Sequence, residues 1–180
     1  TVVYAVSQLE DDELFNAGIG SQIQSDGKIR MSAAIMDGET QKMSGVINIE
    51  DVKNPIQVAQ VLMKEDDRVL GGSGATNYAR QHGFDVFSTE IPQRRAEYEA
   101  KLKSLGTGTV GCVALDTTGK LAAATSTGGK GFELVGRISD SATVAGNYAN
   151  EFCGVSLTGV GEDIVSNATA AKIVTRVTDG

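Results

Sequence analysis

Apolar and polar residues fall in blocks along this chain, and the blocks predict an order of elements. Val2 to Leu9 is apolar with polar interruptions, and TVVYAV reads like the head of a strand; the acidic patch Glu10, Asp11, Asp12 and Glu13 follows. LFNAGIGS is a loop with two glycines. IRMSAAIMDG predicts a strand closing on an Asp37-Gly38 turn, and MSGVINIE predicts its hairpin partner. NPIQVAQVLMKEDD predicts a helix, with Asn54 as N-cap, Pro55 at the first helical position, and Ile56, Ala59, Leu62 and Met63 on one face. The glycine-rich turn GGSGA precedes a short polar helix near Tyr78 to Gln81. Pro92 to Lys103 is highly charged without an apolar face, which suits a solvated helix or a linker.

Polarity then collapses. Thr109 to Leu115 predicts a buried strand, Asp116 to Gly119 a turn, and LAAATST the antiparallel return. A third strand is expected over Gly154 to Leu157. The last stretch, Asp163 to Val177, predicts one helix from the spacing of Ile164, Ala168, Ala171 and Val174. No internal repeat interrupts this order, which is a layered α+β pattern with antiparallel sheets in a single domain, residues 1–180.

Composition narrows the function classes. The chain has 180 residues, 41% of them apolar, with 22 glycines and 2 prolines, so it can bury a core and is rich in turns. Its net charge of −7 is scattered without a basic stripe, which disfavours nucleic acid and anionic membranes as partners. No apolar stretch approaches a membrane span and no signal peptide is recognised, so neither is expected. Cys112 and Cys153 lie far apart without metal or redox spacing, and a reducing, cytoplasmic compartment is expected. His82 is the single histidine, and its polar surroundings Arg80 and Gln81 place it at a surface helix end. Histidine-based triads and His/Cys zinc sites therefore lack material.

The stretch GTGTVGCVALD, Gly106 to Asp116, brings Thr109 forward. A threonine hydroxyl is a poor nucleophile until a base takes its proton, and without a suitable histidine one available base is threonine's own α-amino group. That amine has an unperturbed pKa of about 8, which leaves a useful neutral fraction, but it exists only if the Gly108–Thr109 bond is broken. Glycine before the threonine tolerates the backbone angles of such a break. On spacing alone, Thr109 is equally readable as an ordinary strand-edge residue.

Taken in order, LEDDELFNAGIGS, MSAAIMDG, NPIQVAQVLM, GSGA, GTVGCVALD, LAAATSTGG, GRISDS and LTGVGE resemble the plant-type asparaginases, also called isoaspartyl peptidases, among the N-terminal-nucleophile hydrolases. The resemblance implies a four-layer αββα sandwich, autoproteolysis before Thr109, and a dimer of processed chains. Residues 1–108 would form an alpha-subunit portion and residues 109–180 a beta-subunit portion. Thr109 would be nucleophile and, through its freed amine, base; Thr127 would orient it. Thr158 and the backbone N–H of Gly159 would form the oxyanion hole. Arg137 would clamp the substrate α-carboxylate, and Asp140 would hold its α-ammonium, with Gly161 beside it and Asn16 near the nucleophile. The acidic loop would bind sodium, mainly through carbonyls of Leu9, Glu10, Asp12, Phe15, Ala17 and Ile19. The implied reaction releases ammonia from L-asparagine and cleaves β-aspartyl dipeptides.

Departures from the family pattern bear on the pocket. The chain matches a central portion of the pattern, so the sandwich is expected to be incomplete at both ends. The spacing between Asp140 and Thr158 is short, SATVAGNYAN lacks a proline after the serine, and Val160 stands where the family often has threonine. Thr127 is also readable as a plain strand residue, Arg137 and Asp140 as an i,i+3 surface pair, and Glu10 to Glu13 as a solvated cluster. Alternatives of function are a glycosylasparaginase, which wants aspartate where Gly108 stands, and a truncated or redesigned scaffold that does not self-process. Thr1 as nucleophile is rejected, because TVVYAV maps to the middle of the family's first subunit.

Overall fold

The computed structural model of the chain describes residues 1–100 and 108–180. Residues 101–103 of the charged segment and residues 106–107 of the GTGTVG stretch lie outside them.

Helix α1 (Val2–Glu10) stands where TVVYAV suggests a strand. Val2, Val6 and Glu10 recur every fourth residue and are all buried, while Tyr4 is exposed, so burial follows the helical period. Strands β1 (Met31–Asp37) and β2 (Met43–Ile49) form the expected hairpin, with Ala33 opposite Val46 and Met36 opposite Met43. The Asp37 carboxylate closes its turn by accepting from the Glu39 N–H (3.1 Å) and the Thr40 hydroxyl (2.6 Å).

Helix α2 (Pro55–Leu62) starts where Asn54 and Pro55 indicate, but Asn54 does not cap it. Its side-chain amide donates to the Ser7 carbonyl (3.4 Å) and to Asp11 Oδ1 (2.9 Å), and so ties the helix to the end of α1. The cap acceptor comes from elsewhere in the chain: Glu10 Oε1 receives the Ile56 N–H at 3.1 Å.

Strand β3 (Val69–Gly71) follows, and it corrects the expectation of purely antiparallel sheets. It pairs parallel to β2, Gly45 with Val69 and Ile47 with Gly71. The cause is the connection: the chain crosses over through α2 and returns in the same direction, as a strand–helix–strand unit must. Helix α3 (Gly72–Gln81) takes in the GGSGA segment read as a turn, because Ala75 and Ala79, one turn apart, bury against the sheet. His82 ends it, stacked on Tyr78.

Helix α4 (Pro92–Ala100) is the solvated helix of the two readings, with no buried residue. Polar bonds hold it instead. Arg94 Nε donates to the Gly20 carbonyl at 2.8 Å and the Tyr98 hydroxyl to the Ser25 carbonyl at 3.2 Å.

Strands β4 (Thr109–Leu115) and β5 (Leu121–Thr127) form the second hairpin, and the five-stranded sheet runs β3-β2-β1-β5-β4. β4 is an edge and is less buried than its composition suggests: Val110 is covered, whereas Leu115 is 66% exposed. A separate antiparallel ribbon joins β6 (Asn147–Ala149), which the pattern did not indicate, to β7 (Gly154–Ser156).

The C-terminal stretch is two helices, α5 (Gly161–Asn167) and α6 (Thr169–Asp179), not one. Ala168 between them is left-handed (φ 46°, ψ 47°). The break is supported from outside: the Ala170 and Ala171 N–H groups donate to the Ala145 and Val144 carbonyls at 2.8 and 3.2 Å.

Helices α1, α2 and α3 pack on one face of the five-stranded sheet; the β6–β7 ribbon packs on the other, with α6 against the ribbon. The fold is thus α+β around a mixed sheet. Val6, Met31, Val46, Ile49, Ile56 and Leu62 are fully buried between sheet and helices, each contributing roughly 1.5–3 kcal/mol.

Candidate active site

The antiparallel register sets Thr109, the first residue of β4, directly opposite Thr127, the last of β5. The Thr109 hydroxyl donates to Thr127 Oγ at 3.1 Å. Thr127 Oγ also accepts the Gly129 N–H at 3.2 Å, so the turn after β5 folds back on its own strand end.

Asn16 braces that turn from behind. Its carbonyl accepts the Gly128 N–H (2.9 Å), its amide donates to the Gly129 carbonyl, and its Oδ1 accepts the Gln22 N–H (2.9 Å). Gly128 is required here, since a Cβ would stand 2.5 Å from Ser21 Cβ and 2.6 Å from Asn16 Oδ1. Asn16 therefore sits close to Gly108, but its side chain serves the backbone and does not line the recess at Thr109.

That recess, about 30 Å³, brings together Gly108, Thr109, Thr127, Thr158, Gly159 and Gly161. Arg137 and Asp140 form part of its wall, along with Lys130 and Ser139, which were not singled out from the sequence. A wider groove of about 190 Å³ opens along Thr109 and Thr158. Residues from β4, β5, the loop after β5 and the loop after β7 thus converge, although up to 53 positions separate them in the chain.

Arg137 is not a surface partner of Asp140. Its Nε donates to Glu162 Oε1 at 2.7 Å and its Nη2 to Ser139 Oγ at 3.0 Å. The Arg137 guanidinium, aided by the backbone at the start of α5, holds the Glu162 carboxyl down at about 2. Ser139 in turn donates to Asp140 Oδ1 at 2.9 Å, and Asp140 is only 5% exposed, with its Oδ2 buried and unpartnered. Gly161 permits this crowding: a Cβ there would lie 1.7 Å from Ser139 Oγ and 2.7 Å from Asp140 Oδ1.

The acidic loop turns carbonyl oxygens inward. A Cβ on Gly18 would meet the Glu10 carbonyl at 2.2 Å, and one on Gly20 would meet the carbonyls of Phe15 at 2.0 Å and Glu13 at 2.5 Å. The carbonyls of Leu9, Asp12 and Ala17 accept the N–H groups of Asp12, Phe15 and Gly20 at 3.4, 3.1 and 3.3 Å, and Ile19 lies between the two glycines. Among the described residues no three His, Cys, Asp or Glu side chains gather as a metal centre, so carbonyls are the available donors.

The Glu10 side chain has a different place from the solvated cluster its sequence suggests. It is fully buried, accepts from Ser126 Oγ (2.6 Å) and the Ile56 N–H (3.1 Å), and leaves Oε2 unpartnered. Burial pushes its carboxyl up to about 8. Glu10 thus links the loop, α2 and the strand that carries Thr127. The signal was present in its four-residue spacing from Val2 and Val6.

The sequence matches the family described as Asparaginase over residues 1–101 and 87–180. It is 48% identical to an isoaspartyl peptidase/L-asparaginase of Synechocystis sp., covering 99% of this chain and 60% of that protein. It is 49% identical to an isoaspartyl peptidase/L-asparaginase of Nostoc sp., covering 99% and 63% respectively. With a plant-type L-asparaginase of Pyrococcus furiosus it shares 40% identity over 95% of this chain and 63% of that one. The chain spans less than two thirds of the length of these relatives. With that coverage, the paired threonines at the ends of two adjacent strands have their explanation: the chain belongs to the asparaginase family.

Proposed function

We propose that this chain carries the active centre of an amidohydrolase that releases ammonia from L-asparagine and cleaves β-aspartyl dipeptides, activated by autoproteolysis between Gly108 and Thr109. The observation that carries the reading is the 3.1 Å hydroxyl pair Thr109–Thr127, set in one recess with Thr158, Gly159, Arg137 and Asp140. Relatives named for both activities support the substrate class.

Each group has a role that its chemistry suits. Scission before Thr109 frees an α-amine with a pKa of about 8, within reach of its own hydroxyl. That amine takes the proton as Thr109 Oγ attacks the side-chain carbonyl, while Thr127 holds the hydroxyl in line. Thr158 and the Gly159 N–H face the developing oxyanion, and such donors are worth about 3–4 kcal/mol each. Proton return to the leaving nitrogen expels ammonia or an amino acid and leaves a β-aspartyl ester. Water, deprotonated by the same amine, attacks the ester and frees aspartate. Arg137 and Asp140 hold the α-carboxylate and α-ammonium, and the buried, unpartnered Asp140 Oδ2 suits a cation.

The acidic loop suits a sodium ion, which the carbonyls of Leu9, Glu10, Asp12, Phe15, Ala17 and Ile19 would hold; those of Glu10 and Phe15 crowd against Gly18 and Gly20. When bound, the ion supplies no chemistry beyond stiffening the loop; Asn16 at its end holds the Gly128–Gly129 turn. The packing of α1–α3, sheet, ribbon and α6 supports the four-layer αββα arrangement, with residues 1–108 and 109–180 as its two processed portions. Assembly of processed chains into a dimer and a cytoplasmic location complete the reading. Among the described residues no helix is long and apolar enough to cross a membrane.

Mass spectrometry of the purified chain after incubation tests this reading. Two pieces, the second beginning at Thr109, and ammonia release from asparagine are expected, both abolished in Thr109→Ala. A Thr109→Ala chain that still cleaves itself overturns it.

A further inference from the structure

A second cavity, about 20 Å³, adjoins the recess and shares Thr127, Gly129, Arg137, Ser139 and Ser141 with it. Its volume admits one particle of about the size of a water molecule. Gln24, Arg30, Ser32, Asn48 and Glu133 add further polar groups to its lining.

Glu133 has no role in the proposed reaction, yet it is 3% exposed. Its Oε1 rests against Gly129, where a Cβ would stand 1.9 Å away, and accepts only a long 3.3 Å bond from Gln24 Nε2. Its Oε2 has no partner among the described residues. Among the described residues no lysine or arginine forms an ion pair with Glu133. An ionised carboxylate so deeply placed must be compensated.

The two guanidiniums in the lining do not compensate it, because each is already matched. Arg30 pairs with Asp26 at 3.0 Å and Glu50 at 2.7 Å, and donates to Gln24 Oε1 at 2.7 Å. Arg137 pairs with Glu162 at 2.7 Å. None of Asp26, Glu50 and Glu162 lines the cavity, so among the described residues Glu133 is the one acid in its lining and has no cationic partner. Hydroxyls of Ser32, Ser141 and Thr127 in the lining offer neutral oxygens beside that carboxyl.

We propose that this cavity is a binding site for one ammonium ion, held by Glu133 Oε2. Any singly charged cation of similar radius shares the chemistry. The proposal rests on the reaction above only for the origin of the ion, since amide hydrolysis releases ammonia in the adjoining recess. The bound ion faces Thr127 and fixes Glu133 against Gly129, whose N–H holds Thr127 Oγ. Its occupancy therefore bears on the orientation of Thr109 without contact with the substrate.

The test is anomalous diffraction from crystals of the Thr109→Ala chain soaked in rubidium chloride, rubidium being close to ammonium in size. A peak in contact with Glu133 Oε2 is expected, absent from the same chain bearing Glu133→Gln. Added ammonium chloride is expected to displace it, whereas sodium chloride at equal ionic strength does not. No peak, a peak that survives Glu133→Gln, or a peak that ammonium fails to displace overturns the proposal, and so does density for water alone. The readout needs no turnover. A rubidium site in a wild-type chain that never hydrolyses asparagine would sink the reaction and leave the site standing.

Discussion

Ser156 Oγ occupies the space that a Cβ on Gly111 would need, 1.9 Å from that position. The edge strand β4 and the ribbon strand β7 therefore meet with only a hydroxyl between them, and β7 runs on into Thr158 and Gly159. Substituting Gly111→Ala drives the ribbon away from the sheet. We expect a loss of about 1–3 kcal/mol in stability and a fall in asparagine hydrolysis larger than the loss of folded protein explains. Thermal unfolding and kcat measured on the same sample check this; full activity at reduced stability would show that the spacing is not transmitted to Thr158.

The same contact is polar on its other side. Thr125 shares a 2.7 Å hydrogen bond with Ser156 and donates to Asn147 Oδ1 at 3.1 Å. Thr125→Val keeps the shape and strands both partners, at about 1–3 kcal/mol each. Thr125→Ser should recover most of that loss in a denaturant melt; if valine and serine behave alike, the hydroxyl is irrelevant.

In the proposed reaction Thr127, 3.1 Å from Thr109 Oγ, orients and does not attack. Thr127→Ala should reduce kcat by roughly 100-fold or more with little change in KM, and Thr127→Ser should restore much of it. A change confined to KM would assign Thr127 to substrate binding instead.

Glu10 is an acid held neutral near pH 7, with its carboxyl pushed up to about 8. Glu10→Gln keeps an acceptor for Ser126 and Ile56 and should melt within a few degrees of the parent. Glu10→Ala removes the acceptor and opens a void, with an expected cost of about 3 kcal/mol or more. Equal melting temperatures for the two variants would contradict the buried role.

Arg137 and Glu162 give the fold an acid-sensitive tie. The Glu162 carboxyl is lowered from 4.5 to about 2, so below pH 4.5 the unfolded chain binds a proton that the folded chain refuses. The contribution is thus complete above about pH 4.5 and disappears as pH falls through about 2. Because the Glu162 side chain is 58% exposed, it amounts to less than about 1 kcal/mol. Glu162→Gln should be slightly less stable than the parent at pH 6, with the difference gone at pH 2. A gap that persists at pH 2 would exclude the ion pair as its source.

Much of the sheet was legible because its signals are local. The Asp37-Gly38 and Asp116-to-Gly119 turns bracket alternating strands, and Asn54-Pro55 marks the start of α2. What escaped depends on distant groups. GGSGA joins a helix because Ala75 and Ala79 find the sheet, and the single C-terminal helix divides because Ala145 and Val144 offer carbonyls to its middle. At the site, ordered motifs indicated Thr109, Thr127, Arg137, Asp140, Thr158, Gly159 and Gly161, and one recess holds them all. Asn16, also named, turned out to be a brace. Glu133 stayed hidden, since nothing in an isolated acidic residue tells whether distant segments will close over it, whereas the burial of Glu10 was signalled by its spacing from Val2 and Val6 alone.

Strands β1 and β5 face each other through six register pairs, from Ser32 with Thr127 to Asp37 with Ala122. One strand precedes residue 108 and the other follows it, so this seam joins the two halves of the polypeptide through the middle of the sheet. A cut before Thr109 falls at the open rim, where β4 has a neighbour on one side only. Severed there, as proposed, the molecule stays zipped, trading one covalent bond for a new chain end while the ladder goes undisturbed.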